Sequence, residues 1–196
     1  MADEQNVLAA IRARPWFGPL ARLPMVGFRL GLGRIVGRRY TVLTTTGRSS
    51  GRPRRTMTAW HRGERGRYVL VLYGTASQWY RNVRANPIVT GQTAAGAHTY
   101  RAARVEGDDN VLDAVAALRR SPLLWRFHLA ASGLPDSTDE LLGAGDRLVV
   151  VRLDPVWGPG PPPMPADLVW LWPLALALLS VWSVVRRRRR SGAWPD

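Results

Sequence analysis

Cysteine and lysine are both missing from this 196-residue chain, and acidic residues are half as numerous as basic ones, 14 against 28. Without cysteine there are no disulfides and no thiolate metal ligands. Without lysine there is no amine to form a Schiff base or to act as a pKa-shifted base, so every basic side chain is an arginine, a permanently charged fork suited to clamping oxyanions. Histidine is scarce too: His61, His98 and His128 are too few and too scattered to imply a metal cage, and no metal is expected. No carboxylate pair at glycosidase-like spacing and no Gly-x-Ser-x-Gly elbow is present, which leaves hydrolase chemistry without support. Zinc-finger spacing, zipper heptads and RNA-binding aromatic motifs are also lacking, so nucleic acid is not an expected partner despite the net charge of +14.

That charge is unevenly placed: residues 1–104 carry +15, residues 105–167 carry −5 and residues 168–196 carry +4. The pattern points to one basic face, suited to an anionic cofactor or anionic lipid. Residues 1–38 alternate apolar and basic and read as a helical lead-in interrupted by Pro15, Pro19 and Pro24. From residue 40 the pattern turns to short strands near 40–46, 53–61, 67–74, 87–93 and 98–106, separated by glycine-bearing turns, which implies a meandering barrel. Helices are expected at Asp108–Leu118 and Leu123–Ala131, with a closing strand at Arg147–Leu153. A proline-rich stiff linker occupies residues 156–167. Residues 168–185 contain no charge, enough at about 1.5 Å per residue for a membrane-spanning or membrane-inserted helix. Residues 186–196 form a basic tail opening with Arg186–Arg190.

Within the barrel region, residues 41–54 carry a β-branched run, Thr41–Thr46, into a polar turn bounded by Gly47 and Gly51 and out again with Arg48, Arg52 and Arg54. Free turn amides, hydroxyls from Ser49 and Ser50 and three guanidinium groups would make a phosphate cradle; a solvated basic hairpin is the plainer alternative. Residues 78–89, Gln-Trp-Tyr-Arg-Asn-Val-Arg-Ala-Asn-Pro-Ile-Val, read as a short helix ended by Asn-Pro and followed by a strand. The two motifs together resemble those of the deazaflavin-dependent nitroreductase family of split β-barrel oxidoreductases, and the resemblance runs from about Arg39 to Pro155.

The resemblance implies an α+β fold, a split β-barrel with flanking helices over residues 39–155, here followed by a C-terminal hydrophobic membrane helix. It implies the deazaflavin coenzyme F-420, with FMN or FAD ranked behind it, and hydride transfer from the reduced form to an acceptor. Carried over by position, Arg48, Ser49, Ser50, Gly51, Arg52 and Arg54 would bind the cofactor's phosphate, while Trp79 and Asn82 would wall and brace its cleft. Tyr73, Ser77 and Tyr80 are the candidate proton donors. Plain barrel packing is the alternative for Trp79 and Tyr80. The hydrophobic C-terminal segment suggests a membrane-associated enzyme acting on a lipophilic acceptor, quinone-like or aromatic, with its catalytic domain on the cytoplasmic side and a homodimer possible. A non-catalytic flavin-like or tetrapyrrole binder, or a peripheral membrane scaffold, would fit the same sequence.

Overall fold

The computed structural model describes residues 25–72 and 74–191. Most of the expected helical lead-in and the last residues of the basic tail lie outside these. Seven strands, β1 (Tyr40–Thr46), β2 (Pro53–Ala59), β3 (His61–Arg62), β4 (Arg67–Leu70), β5 (Ile88–Thr93), β6 (Gly96–Arg104) and β7 (Val150–Pro155), form one sheet in the order β2-β1-β5-β6-β7-β4-β3. All its pairings are antiparallel, and the sheet curls until β2 approaches β4 across the gap. A curled sheet of this kind, flanked by helices, is the architecture of a split barrel.

The helices are α1 (Gly33–Val36), α2 (Gln78–Ala85), α3 (Asp108–Arg119), α4 (Pro122–Ser132), α5 (Thr138–Leu142) and α6 (Leu171–Ser191), with further helical backbone at 25–29. Most strands and helices stand close to the sequence pattern, but the strand expected over 67–74 stops at Leu70 and the closing strand expected from Arg147 starts at Val150, after a 3-10 turn at Gly145–Arg147. Two further features were not expected. Helix α5 is a single short turn without the periodic apolar run that would reveal it, and the strand expected over 53–61 breaks into β2 and β3 around Trp60.

Leu43, Val69, Val89 and Val151 fill the inside of the curl, closed by Tyr80 and Val83 from α2. A second core forms where Val115 and Leu118 of α3 and Trp125 and Leu129 of α4 pack on Tyr68, Leu70 and Val150. One half-buried carboxylate ties these parts together. Asp113 lies within α3, and its oxygens accept hydrogen bonds from the Tyr68 hydroxyl at 2.6 Å and from the amides of Glu64 and Arg65 at 3.0 and 2.9 Å. Burial works against its ionisation, but these donors prevail and hold its pKa below the ordinary carboxylate value.

Strand β1 is covered on both faces, because a third cluster of Phe28, Val42 and Met164 closes its outer side. Met164 belongs to the proline-rich stretch, which is fastened across the sheet as a strap. Its amide donates to Gln92 Oε1 at 3.0 Å, its carbonyl accepts from Gln92 Nε2 at 3.3 Å, and the Pro161 carbonyl accepts from the Thr90 hydroxyl. The stiffness that proline supplies lowers the entropic cost of holding such a strap extended.

The expected spanning helix is corrected by the structure: among the described residues, no helix is long and apolar enough to cross a membrane. Residues 167–170 are turns, so the helix starts only at Leu171 and reaches Arg186 after fifteen residues. That covers only about 22 Å, short of the roughly 30 Å of a hydrocarbon core.

Two imidazoles sit in the helix-bearing half of the fold with a ring nitrogen unpartnered, His61 at Nε2 and His128 at Nδ1. Burial lowers both pKa values; burial, with the charge of His61 second, takes His128 down to about 4. A histidine with a lowered folded-state pKa takes up its proton more readily when unfolded, so stability is full above about pH 6.5 and falls as pH drops toward 4. From His128 the expected loss is about 3 kcal/mol at the acid end. Denaturant titrations across that range check this: His128→Leu should flatten the acid slope, and an unchanged slope would refute the assignment.

Candidate functional site

Strand β1 delivers the chain into residues 47–52, a loop closed on itself by backbone hydrogen bonds. The Gly47 amide donates to the Arg52 carbonyl at 2.9 Å, and the Gly51 and Ser50 amides donate to the Gly47 carbonyl at 2.8 and 3.2 Å. Gly51 has φ +63, a conformation that L side chains seldom adopt, while a Cβ on Gly47 would come within 2.8 Å of Ser50 Oγ and 3.1 Å of the Arg52 carbonyl. Both glycines therefore serve the closure of this loop.

Helix α2 packs against the loop and fixes its leading arginine. Asn82, buried, accepts at Oδ1 from the Arg48 amide at 3.3 Å and from Arg48 Nη1 at 3.1 Å, and its Nδ2 donates to Thr45 Oγ1 at 3.4 Å. Arg48 Nη2 donates to Gln78 Oε1 at 3.0 Å. Two neutral acceptors thus orient the guanidinium without cancelling its charge, and it keeps donors for an anion.

Between loop and helix lies an open cleft of about 490 Å³, lined by Gly47, Arg48, Ser49, Ser50, Arg54, Arg55, Thr56, Gln78, Trp79 and Asn82. It presents three arginines and no carboxylate, with the half-buried indole of Trp79 as its large apolar surface. A ligand suited to it is flat, aromatic at one part and anionic at another.

The structure gathers most of the sequence-derived binding residues here: Arg48, Ser49, Ser50, Arg54, Trp79 and Asn82 line the cleft. Gly51 and Arg52 shape the loop without lining it; the Arg52 amide donates to Ser50 Oγ at 3.4 Å. Arg55, Thr56 and Gln78 join the lining. Arg55 directly follows the predicted Arg54 on β2 and was not among the expected binding residues, and Gln78 is recognisable only once α2 is placed against the loop. Of the candidate proton donors, Tyr73 lies outside the described residues. Ser77 is buried at the start of α2. Tyr80, also buried, stands edge-on to Trp79 and faces a different cavity beside Arg104 and Asp146. Neither Ser77 nor Tyr80 lines the cleft.

Residues 26–121, which contain this loop and helix, match the sequence model of the F420H(2)-dependent quinone reductase family. Over this segment, just under half of the chain, the protein is similar to that family. The deazaflavin cofactor expected from the two motifs agrees with the family description, which specifies quinone reduction and leaves a nitro acceptor unaddressed. Solved structures give remote likenesses only. An F420-H2-dependent reductase is 21% identical over 60% of this chain and 95% of its own, with a TM-score of 0.44. A heme storage protein from Vibrio cholerae is 18% identical over 68% of this chain and 92% of its own, with a TM-score of 0.43. A domain-swapped dimer is 19% identical over 60% of this chain and 81% of its own, with a TM-score of 0.45. No curated protein matches the chain. The barrel is accordingly read from the chain's own strand order, and the family likeness from the matched segment.

The Asn82 bracing gives a direct test. Asn82→Leu leaves the Arg48 amide and guanidinium without their shared acceptor and should cost about 2 kcal/mol of stability. Gln78→Ala removes an exposed acceptor and should cost less than about 0.5 kcal/mol. Denaturant unfolding of the two variants checks this, and equal losses would contradict the bracing role.

Proposed function

We propose that the chain is an oxidoreductase that binds the reduced deazaflavin F-420 at the cleft between loop 47–52 and α2 and passes a hydride to a lipophilic acceptor, quinone-like or aromatic. The observation that carries this reading is the fixed Arg48, set beside Arg54, Arg55 and Trp79 in a cleft lined by no carboxylate. The phosphodiester and acidic tail of F-420 are polyanionic, and its ring system is flat, so the residues present fit the group.

When bound, reduced F-420 supplies the hydride. The chain's own residues bind and orient. Arg48 and Arg54 hold anionic oxygens, Ser49 and Ser50 offer hydroxyl donors, and Trp79 gives a ring a surface to lie on and keeps water from one side of it. With Ser77 and Tyr80 outside the cleft, Tyr73 is the one sequence candidate left for protonating the reduced acceptor, alongside water entering through the open mouth.

Association with a membrane belongs to the same reading, in a form other than spanning. Helix α6 exposes Val181, Trp182 and the leucines at 174, 176, 178 and 179, and leads into Arg186–Arg190, a composition suited to lying in the interface of an anionic bilayer. The lipophilic acceptor follows from that location, since an enzyme held at the bilayer meets hydrophobic substrates at raised local concentration. A cytoplasmic-side domain and a homodimer complete the proposal.

The test is fluorescence titration of the full chain in detergent with oxidised F-420, with FMN as competitor. Saturable binding that Arg48→Ala weakens about 10- to 100-fold is expected, since a charge-assisted contact is lost. A folded chain that binds neither ligand, or binds F-420 equally well without Arg48, would overturn the reading.

A further inference from the structure

Helix α6 is not attached to the domain by a loose tether. The Arg29 guanidinium grips the Asp167 carboxylate in two places, Nε to Oδ1 at 2.8 Å and Nη2 to Oδ2 at 2.7 Å. The Leu168 amide donates to the Arg29 carbonyl at 3.0 Å, and the Trp172 indole N–H donates to the Leu30 carbonyl at 2.9 Å. Between these contacts the chain passes so close that a Cβ on Gly31 would lie 3.1 Å from Val169 Cγ2. Just before the root, Met164 is buried against Phe28 and Val42. The root of α6 is therefore fastened to segment 25–31, which is itself packed on the outer face of β1. Both fastened pieces lie at or beyond the edges of the matched family segment, so this attachment adds to the barrel.

The fastened segment continues into a surface of unusual composition. Ile35 is 69% exposed, with Arg34, Arg38 and Arg39 exposed around it. No acidic residue occurs between Glu4 and Glu64, and among the described residues these three arginines have no carboxylate within salt-bridge distance. An exposed isoleucine within a cationic patch matches a surface that is anionic outside and apolar beneath.

We infer that this patch, Arg34, Ile35, Arg38 and Arg39, is a second contact with the anionic bilayer on which α6 rests, and that the clamp at Arg29 and Asp167 makes the two contacts act as one, holding the reductase domain in a fixed orientation. The inference rests on the membrane reading above and adds the docking face. The occupant is lipid for two reasons. The exposed apolar residues of α6 include adjacent pairs, Leu178 with Leu179 and Val181 with Trp182, so they cover more than the single stripe a second copy would bury. A second copy meeting this patch with its own would also set like-charged Arg34, Arg38 and Arg39 against each other.

Absence of cysteine permits a clean test on the full chain. Ile35→Cys and, separately, Leu178→Cys are labelled with a polarity-sensitive fluorophore and mixed with vesicles of phosphatidylcholine alone or with phosphatidylglycerol added. Both labels should shift to the blue on the anionic vesicles. Adding Arg34→Gln, Arg38→Gln and Arg39→Gln should weaken vesicle affinity at least about 10-fold, since three attractions to the anionic lipid surface are lost. Adding Asp167→Arg with Trp172→Phe, which removes two of the fastenings, should weaken the response at position 35 relative to that at 178, and an unchanged ratio would overturn the coupling of the two contacts. A response at 178 with none at 35 would overturn the docking face and leave the membrane reading standing. Silence at both positions would overturn both. Blue shifts that grow with protein concentration in the absence of vesicles would assign the surface to self-association and overturn the lipid assignment.

Discussion

Burial of β1 on both faces is the constraint from which the rest of the molecule follows. Its inward residue Leu43 belongs to the barrel core, and its outward residue Val42 is covered by Phe28 and Met164. On a central strand dry on both sides, polar side chains depend on local partners. Thr41 and Thr45 find them by donating to the carbonyls of Gln92 and Arg54 on the two neighbouring strands, whereas the buried Thr44 hydroxyl has none. A strand held this firmly gives the loop at its end a fixed starting point, and the loop's first arginine inherits that precision.

The site can be read as a division of labour between neutral and charged groups. Asn82 and Gln78 position Arg48 with amide oxygens. A carboxylate in either place would hold the guanidinium more strongly and would also neutralise it, defeating anion binding. Elsewhere carboxylates are used freely: Arg104 pairs with Asp146 at 2.7 Å and Arg119 with Asp136 at 2.8 Å. The cleft is where arginines line a pocket with no carboxylate beside them, and that difference separates a binding surface from a merely basic one.

The same outer cover that dries β1 also joins the C-terminal helix to the barrel. Arg55 lines the cleft and donates to the Pro163 carbonyl of the strap at 3.3 Å, so cofactor cleft, strap and helix root are connected through a few residues. The proline-rich stretch, which from its composition alone reads as a spacer, serves as a fastening because Gln92 and Thr90 present side chains that match its carbonyls and amide.

The barrel strands, the hairpin and the likeness to the quinone reductase family were legible in the residues themselves. β-branched runs, glycine turns and the Asn-Pro stop are local signals whose physics acts within a few residues, and so strands β1, β5 and β6 and helix α2 stand close to where the pattern put them. The arginine hairpin and the Trp-Tyr helix were legible as one site only through resemblance, because nothing local says that residue 48 meets residue 82. Tertiary structure alone decided that Asn82 braces Arg48, that Tyr80 turns away from the cleft while Gln78 and Arg55 enter it, and that α6 begins at Leu171 and stops short of a span. Each of these depends on which surfaces meet across long stretches of chain, and hydropathy counts carry no information about which distant groups supply the hydrogen bonds.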